Sequence, residues 1–201
     1  PHLLHSIEWL DKLPSSFNGI MIANEVLDAF PVRRFLINNN QIQEWYVGFE
    51  KGAFFWISGE PESNDLVEEV LKIKNEGLGD VDNYTSEINF YAKAWTNTIS
   101  KSLTKGAIFL IDYGFPREIY YHPQRHEGTL MCHYRHRSHS DPLILVGLQD
   151  ITAHVDFSFV AECAKDAGLI LNEYNTQAAF LLNNKLLDFV QEENDIVKRL
   201  T

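Results

Sequence analysis

The sequence predicts an α/β fold, a parallel sheet with helices on both faces and an antiparallel meander inserted into it. Three observations carry this. The uncharged run Ile20-Met-Ile-Ala23 reads as a strand buried on both faces, as in a helix-covered parallel sheet. A second such run, Ala107 to Ile111, follows a helical pattern and gives the alternation of a parallel framework. Each run ends in polar residues, Asn24, Glu25 and Asp28 after the first and Asp112 after the second. In open α/β sheets ligands gather at the carboxyl ends of strands, so these side chains are placed for chemistry.

Along the chain, Ser6 to Leu10 reads as a short strand with Trp9 near its end. Pro31 closes the segment after Ile20–Ala23. Arg33–Ile37, Gln41–Phe49 and Ala53–Ile57 are β-rich runs separated by Asn38-Asn39-Asn40 and Glu50-Lys51-Gly52, which is turn chemistry and predicts a meander over about 33–60. A helix is predicted from Asn64 to Glu76, with Ser63 as cap, Leu66, Val67, Val70, Leu71 and Ile73 apolar, and Gly77 beyond its end. A second helix is read from Ser86 as cap, with Asn89 at the Glu position of a capping box and Ile88, Tyr91, Ala92, Trp95 and Ile99 on one face. Gly106 closes it in this reading, and the next buried strand delivers Asp112, Tyr113 and Gly114 to the same sheet edge as Asn24. Asp112 is then either a site acid or a loop acid capping a turn.

The segment from Phe115 to Asp150 is distinctive: through His139 its local balance is basic, against an acidic whole. Extended to His154, it holds six of the eight histidines, together with Arg117, Arg125, Arg135 and Arg137. The two-residue spacing of His133, His136 and His139 is not that of a known metal motif, and no metal is assigned. A lid or substrate loop that reads an anionic group fits the arginines, and a structural role on loop carbonyls fits the histidines equally. Asp150 to Asp156 reads as a turn leading to a helix capped by Asp156, with Phe157, Val160, Ala161 and Ala164 inward and Gly168 at its end. His154 is a candidate base or orienting donor, or a histidine that pins its loop. Leu169–Tyr174 is read as a strand, and 176–200 as helix bent near Asn183-Asn184.

Composition narrows the function classes. With 201 residues, 45% of them hydrophobic, the chain is long enough for one domain with a real core. A net charge of -11 argues against a general nucleic-acid binder and suits a cationic substrate or simply a solvated surface. Cys132 and Cys163 form no disulfide framework or metal pattern. No run approaches the ~18 apolar residues of a membrane span.

The residues Asn24-Glu25-x-x-Asp28-Ala-x-Pro31 after an apolar strand resemble the MidA family of class I S-adenosylmethionine-dependent methyltransferases, which includes the mitochondrial complex I assembly arginine methyltransferase. Further segments resemble it in the family's order: Ile111-Asp112-Tyr113-Gly114; Glu127-Gly-Thr129-Leu through Arg137; Gly147-x-Gln149-Asp150-Ile-Thr-x-His154-Val-Asp156-Phe157; and Thr176-Gln177-Ala-Ala-Phe180-Leu181. The resemblance implies a Rossmann-like methyltransferase sheet. That sheet is expected to be incomplete, because the family's GxGxG loop is absent and the chain starts at a point corresponding to just before the third strand. It also stops before the family's usual closing segment, so the chain is expected to be an internal fragment with at best half the cofactor site, its exposed first strand favouring a homodimer.

The implied cofactor is S-adenosyl-L-methionine, approached by Trp9, Asn24, Glu25 and Asp112, and the implied reaction is N-methylation of arginine in a protein segment. Glu25 and Asp28 would hold the guanidinium, His154 would serve as base or donor, and Tyr113, Arg125, Thr129, His133 and Arg135 would line the substrate side. Such a protein belongs in the cytoplasm of a bacterium or in the mitochondrial matrix of a eukaryote. A different class is an inactive interaction module that uses Trp45, Tyr46, Phe54, Phe55 and Trp56 as a binding face. A two-carboxylate hydrolase would have the acids but no nucleophile motif.

Overall fold

In the computed structural model, which describes residues 6–77 and 81–190, the chain divides into two units, Pro1–Leu169 and Ile170–Thr201. The first unit begins with strand β1 (Phe17–Asn24) and continues after Pro31 with β2 (Arg33–Asn38), β3 (Gln41–Glu50) and β4 (Ala53–Gly59). The two hairpin turns between them, Asn39-Asn40 and Lys51-Gly52, lie at positive φ throughout, which is what tight two-residue hairpins demand. Helix α1 (Asn64–Asn75) is followed by β5 (Tyr84–Ile88), which pairs with β2 and completes an antiparallel sheet of order β4-β3-β2-β5. Helix α2 (Phe90–Ser102) then leads into β6 (Leu103–Ile111), which lies parallel to β1 with Ile20 opposite Ala107 and Asn24 opposite Ile111. The expected adjacency of the two site strands is therefore present.

Beyond β6 come β7 (Gly114–Phe115), α3 (Arg117–Tyr120), β8 (Met131–Tyr134), β9 (Arg137–His139), β10 (Asp150–Thr152), β11 (Val155–Asp156) and α4 (Phe157–Asp166). Strands β10, β8 and β9 form their own antiparallel sheet, and β11 runs parallel to β7. The second unit contains α5 (Gln177–Asn183), capped by the Thr176 side chain on the Ala179 amide.

Two apolar clusters hold the first unit. In one, Phe35 and Ile37 of β2 and Tyr84 and Ile88 of β5 pack under Leu66, Val70 and Ile73 of α1, with Tyr120 and Tyr121 alongside. In the other, Leu27 after β1, Ala92 of α2, Val155 of β11 and Val160 of α4 meet directly beneath the ends of the parallel strands. Away from the strand ends, buried charge is paired. Arg117 of α3 is the hub: its guanidinium grips Glu162 at 2.7 and 2.9 Å and lies 3.4 Å from Asp156, 3.5 Å from Glu69 and 3.6 Å from Glu76. Burial works against this charge, but the hydrogen bonds to Glu162 and the surrounding carboxylates outweigh it and raise its pKa.

Several expectations are corrected. Residues 7–10 form no strand, since nothing pairs with them among the described residues, and Trp9 is 93% exposed. Strand β1 is not buried on both faces: Ile20 and Ile22 point outward at 63% and 68% exposure, because among the described residues the sheet contains only β1 and β6. Ser86 and Ile88 lie in β5 rather than at a helix start, and Asn89 is the cap of α2, accepting from the Ala92 amide at 2.9 Å. Tyr91 faces solvent, and Ala92, Thr96 and Ile99 form the inner face. Gly106 does not end a helix; it lies inside β6 at φ +147, where a Cβ would sit 1.7 Å from the Gly19 carbonyl oxygen. In α4 the Asp156 cap holds, Val160 is buried and Phe157 packs against its cluster as expected, while Phe159 and Cys163 are buried in place of Ala161 and Ala164. Leu169–Tyr174 forms no strand; the helix expected to be broken or bent near Asn183-Asn184 does break there and resumes over 186–190, and its continuation beyond 190 lies outside the described residues.

Replacing Arg117 by Met removes the counter-charge for Asp156 and Glu69 and is expected to cost about 3–5 kcal/mol of stability, read as a lowered urea midpoint at unchanged slope.

Candidate functional site

Parallel pairing of β1 and β6 places their carboxyl ends side by side, and one side chain joins the two loops that leave them. Asp112, directly after β6, accepts the backbone N–H groups of Val26, Leu27 and Asp28 on one oxygen at 3.2, 2.9 and 3.3 Å. Its other oxygen takes its neighbour Tyr113's amide at 2.8 Å. Three consecutive amides converging on one carboxylate form an anion nest, so of the two readings the loop acid describes its contacts. Asp112 was expected at the cofactor; its carboxylate is instead occupied by backbone.

The nest shapes the segment that carries the other acids. Glu25 stands at φ +50, a left-handed conformation unusual for a glutamate, while its amide still bonds the Ile111 carbonyl at 2.8 Å. Tyr113 lies beside it, and the Glu25 carboxylate raises the phenol's pKa by its charge and by a hydrogen bond. Asp28 is only 8% exposed, and its Oδ1 is buried without a hydrogen-bond partner. Burial, then the charge of Asp112, and also Glu25 and Asp150, push its pKa above the usual aspartate range, against the pull of the Ala29 amide. The backbone of Asp28 is fixed from the far side by the Ala153 amide at 3.0 Å.

A second set of contacts links this edge to the meander sheet. Glu87 of β5, 1% exposed, accepts the Thr129 amide at 2.8 Å and the Thr129 hydroxyl at 3.2 Å, with Arg34 Nε at 3.2 Å. Burial raises its pKa, and these partners only partly offset that. The Thr129 hydroxyl in turn accepts the His154 amide at 3.1 Å and touches the Tyr120 hydroxyl. Gly128, at φ +82, has no room for a side chain: a Cβ would lie 2.2 Å from Glu87 Oε1. The His154 ring lies edge-on to Phe115 at 5.3 Å, and Arg125 covers that phenylalanine at 4.2 Å. Burial lowers the His154 pKa and Arg125 lowers it further, so the imidazole is neutral at pH 7, with Nδ1 buried and unpartnered.

Of the expected site residues, Glu25, Asp28, Asp112 and Tyr113 meet at one edge, with Asn24 exposed at the end of β1. Thr129 is buried as a structural connector. Trp9 is outside any element and is not brought to the site. His133 lies exposed on β8, and Arg135 forms, with His136, the positive-φ turn of the β8–β9 hairpin. The segment read as a lid or substrate loop contains α3 and the β8–β9 hairpin, and its Arg117 is engaged in internal ion pairs. Glu87 and Asp150 were not anticipated. Glu87 was hidden by the helical reading of 86–99, whereas Asp150 stood in the quoted motif with no role attached.

Residues 1–175 match a family model described as "Putative S-adenosyl-L-methionine-dependent methyltransferase". The chain is 30% identical over 187 residues to the mitochondrial protein arginine methyltransferase NDUFAF7 of Danio rerio, covering 89% of this chain and 39% of that protein. It is 28% identical to the Caenorhabditis elegans homologue of the same name, covering 86% of this chain and 38% of that protein. Among solved structures, it is 43% identical, with a TM-score of 0.88, to a COG1565 superfamily protein of Burkholderia thailandensis crystallised with S-adenosyl-homocysteine, covering 96% of this chain and 49% of that one. The native structure of a COG1565 protein from that organism gives 42% identity and a TM-score of 0.85, covering 92% of this chain and 48% of that one. The chain thus spans about two fifths of these curated relatives and about half of the solved ones.

Asp112→Asn leaves one uncharged acceptor oxygen for four amides, so either the group of three or Tyr113 loses its acceptor; hydrogen exchange across Val26, Leu27, Asp28 and Tyr113 is expected to quicken, by about tenfold (~1.4 kcal/mol) at the amides that lose it. Asp28→Asn is expected to stabilise. A carboxyl whose folded pKa is raised is ionised at pH 7 at a cost to the fold, a cost that disappears as pH falls below the ordinary aspartate pKa. Calorimetric melts should show a higher midpoint for the variant than for the parent at neutral pH, the difference fading as pH falls below the ordinary aspartate range.

Proposed function

The chain belongs to the S-adenosyl-L-methionine-dependent methyltransferase family, and from that premise we propose that it takes part in N-methylation of arginine in a protein acceptor, in a protein that serves respiratory complex I assembly. The observation that carries this is the unpartnered, buried Asp28 oxygen within a group of carboxylates at the strand ends, an arrangement complementary to a cation. A guanidinium offers the planar fork that such a carboxylate accepts, and desolvated Asp28 recovers on binding it what burial costs in the free protein. Glu25, projected by its left-handed backbone and steadied by Tyr113, supplies the second acceptor and holds electron density on the attacking nitrogen.

The same acid-rich edge fits a cationic cofactor. S-adenosyl-L-methionine, when bound, supplies a methyl group already activated on a sulfonium. The residues of this chain then have to align the acceptor, keep water out and receive charge. Asn24 is proposed to contact the methionyl part, and Asp112 acts as a positioning residue through the loop it holds. The neutral His154 imidazole is available to take a proton, and Tyr113, Arg125, His133 and Arg135 are proposed on the path of the acceptor segment. Two relatives carry mitochondrial names, so the matrix is proposed for a eukaryotic source and the cytoplasm for a bacterial one. A catalytically silent interaction module keeps support from exposed Phe54 and Phe55, whereas Trp45 and Trp56 pack on each other and the Tyr46 hydroxyl is taken by Glu44 and Glu60.

Calorimetric titration of S-adenosyl-homocysteine, together with transfer of labelled methyl to an arginine-containing peptide, tests the reading. Glu25→Gln and Asp28→Asn are each expected to lower turnover by about 100-fold or more while the fold is kept. Undiminished transfer in both variants would remove the carboxylate roles, and failure to bind the homocysteine compound would favour the interaction module.

A further inference from the structure

We propose that β4 is a self-association edge: two copies of this chain join β4 to β4 antiparallel, fusing their four-stranded sheets into one of eight strands. Strand β4 ends the sheet order, and among the described residues it pairs only with β3. Soluble proteins protect such edges with charge, proline, a bulge or a very short strand. Strand β4, Ala53-Phe-Phe-Trp-Ile-Ser-Gly59, has none of these: it runs seven residues without charge or proline, in unbroken register with β3. Apolar side chains project from both of its faces, with Phe54 at 43%, Phe55 at 41% and Ile57 at 51% exposure.

The strand is complementary to itself. Antiparallel pairing centred on Trp56 sets Ala53 against Gly59, Phe54 against Ser58 and Phe55 against Ile57 of the second copy, always on a shared face, as a two-fold axis requires. No like charges meet along the ladder. At each end, exposed Lys51 of one copy comes level with the Glu60–Glu62 stretch of the other, an opposite-charge contact made twice by symmetry.

The apolar surface continues beyond the strand. Val47 and Phe49 are exposed on β3, and a cleft of about 620 Å³ separates Phe54 and Trp56 from the loop carrying Leu143 and Ile144. Strand β1, the other exposed apolar edge, is less suited: its register with β6 breaks at Phe17/Asn18, and Gly19 sits at φ +153.

Sedimentation velocity of the 201-residue chain across a wide concentration range is expected to show a monomer–dimer equilibrium. Ile57→Lys places a charge on the edge at an already exposed site and should raise the dissociation constant at least about tenfold, with the far-UV spectrum unchanged. Ile22→Lys, on the β1 edge, should leave the equilibrium intact. Hydrogen exchange on the wild-type chain gives a reading independent of any variant: the outward amides of β4 should gain protection as concentration rises. A monomer at every concentration, a dimer weakened by Ile22→Lys and not by Ile57→Lys, or β4 amides that exchange at the same rate in monomer and dimer would each overturn the proposal.

Discussion

The arrangement of the site depends on the four backbone amides gathered by Asp112. Two parallel strands end level with each other, and the loops that leave them would each carry unpaired N–H groups away from the sheet. By accepting Val26, Leu27 and Asp28 from one loop and Tyr113 from the other, a single carboxylate makes the two loops one body. The turn it enforces drives Leu27 into the lower apolar cluster, where the Asn89 side chain takes its carbonyl at 2.9 Å. It also forces Asp28 inward. The burial of that second carboxylate next to the first follows from the geometry of the turn, and the raised pKa of Asp28 is its electrostatic consequence.

Glu87 extends this order into the meander sheet. Burying a carboxylate costs less when donors meet its oxygens, and those of Glu87 come from the Thr129 backbone and hydroxyl and from Arg34. Because the Thr129 hydroxyl also accepts the His154 amide, the position of that histidine is set by a strand of a different sheet. The requirement for glycine at 128 belongs to the same contact, since only an absent side chain lets the loop approach the acid.

Much of this was legible in the sequence. Turn residues fixed the meander, and the apolar runs Ile20–Ala23 and Ala107–Ile111 correctly gave neighbouring parallel strands with Asn24 and Asp112 at one edge. Errors came where one residue pattern served two structures. Tyr84–Ile88 is short and followed by helix-forming spacing, so tertiary pairing with β2 decided what periodicity left open. Gly106 has the identity of a helix stop but is needed for close approach to Gly19, a demand of packing that no local pattern reveals. Apolarity at Ile20 and Ile22 suggested burial, yet burial needs a covering layer that composition does not report. Arg117 was grouped with the other lid arginines, since the four carboxylates it gathers are scattered from Glu69 to Glu162.

Arg33 and Arg34 are adjacent on β2 and project to opposite faces, where each finds its own acid: Glu44 at 2.7 and 2.5 Å, and Glu87 at 3.2 Å. Glu44 is further bonded by the Tyr46 hydroxyl and the Glu62 amide, and Arg33 reaches Ser63 at the start of α1. A slip of β2 by one residue would turn every side chain over; one arginine would then stand in its neighbour's place, but the acid on the other face would be interred without its cation. The two acids on opposite faces thus tie the register of the meander to the pairing of buried charge, in addition to the apolar pattern.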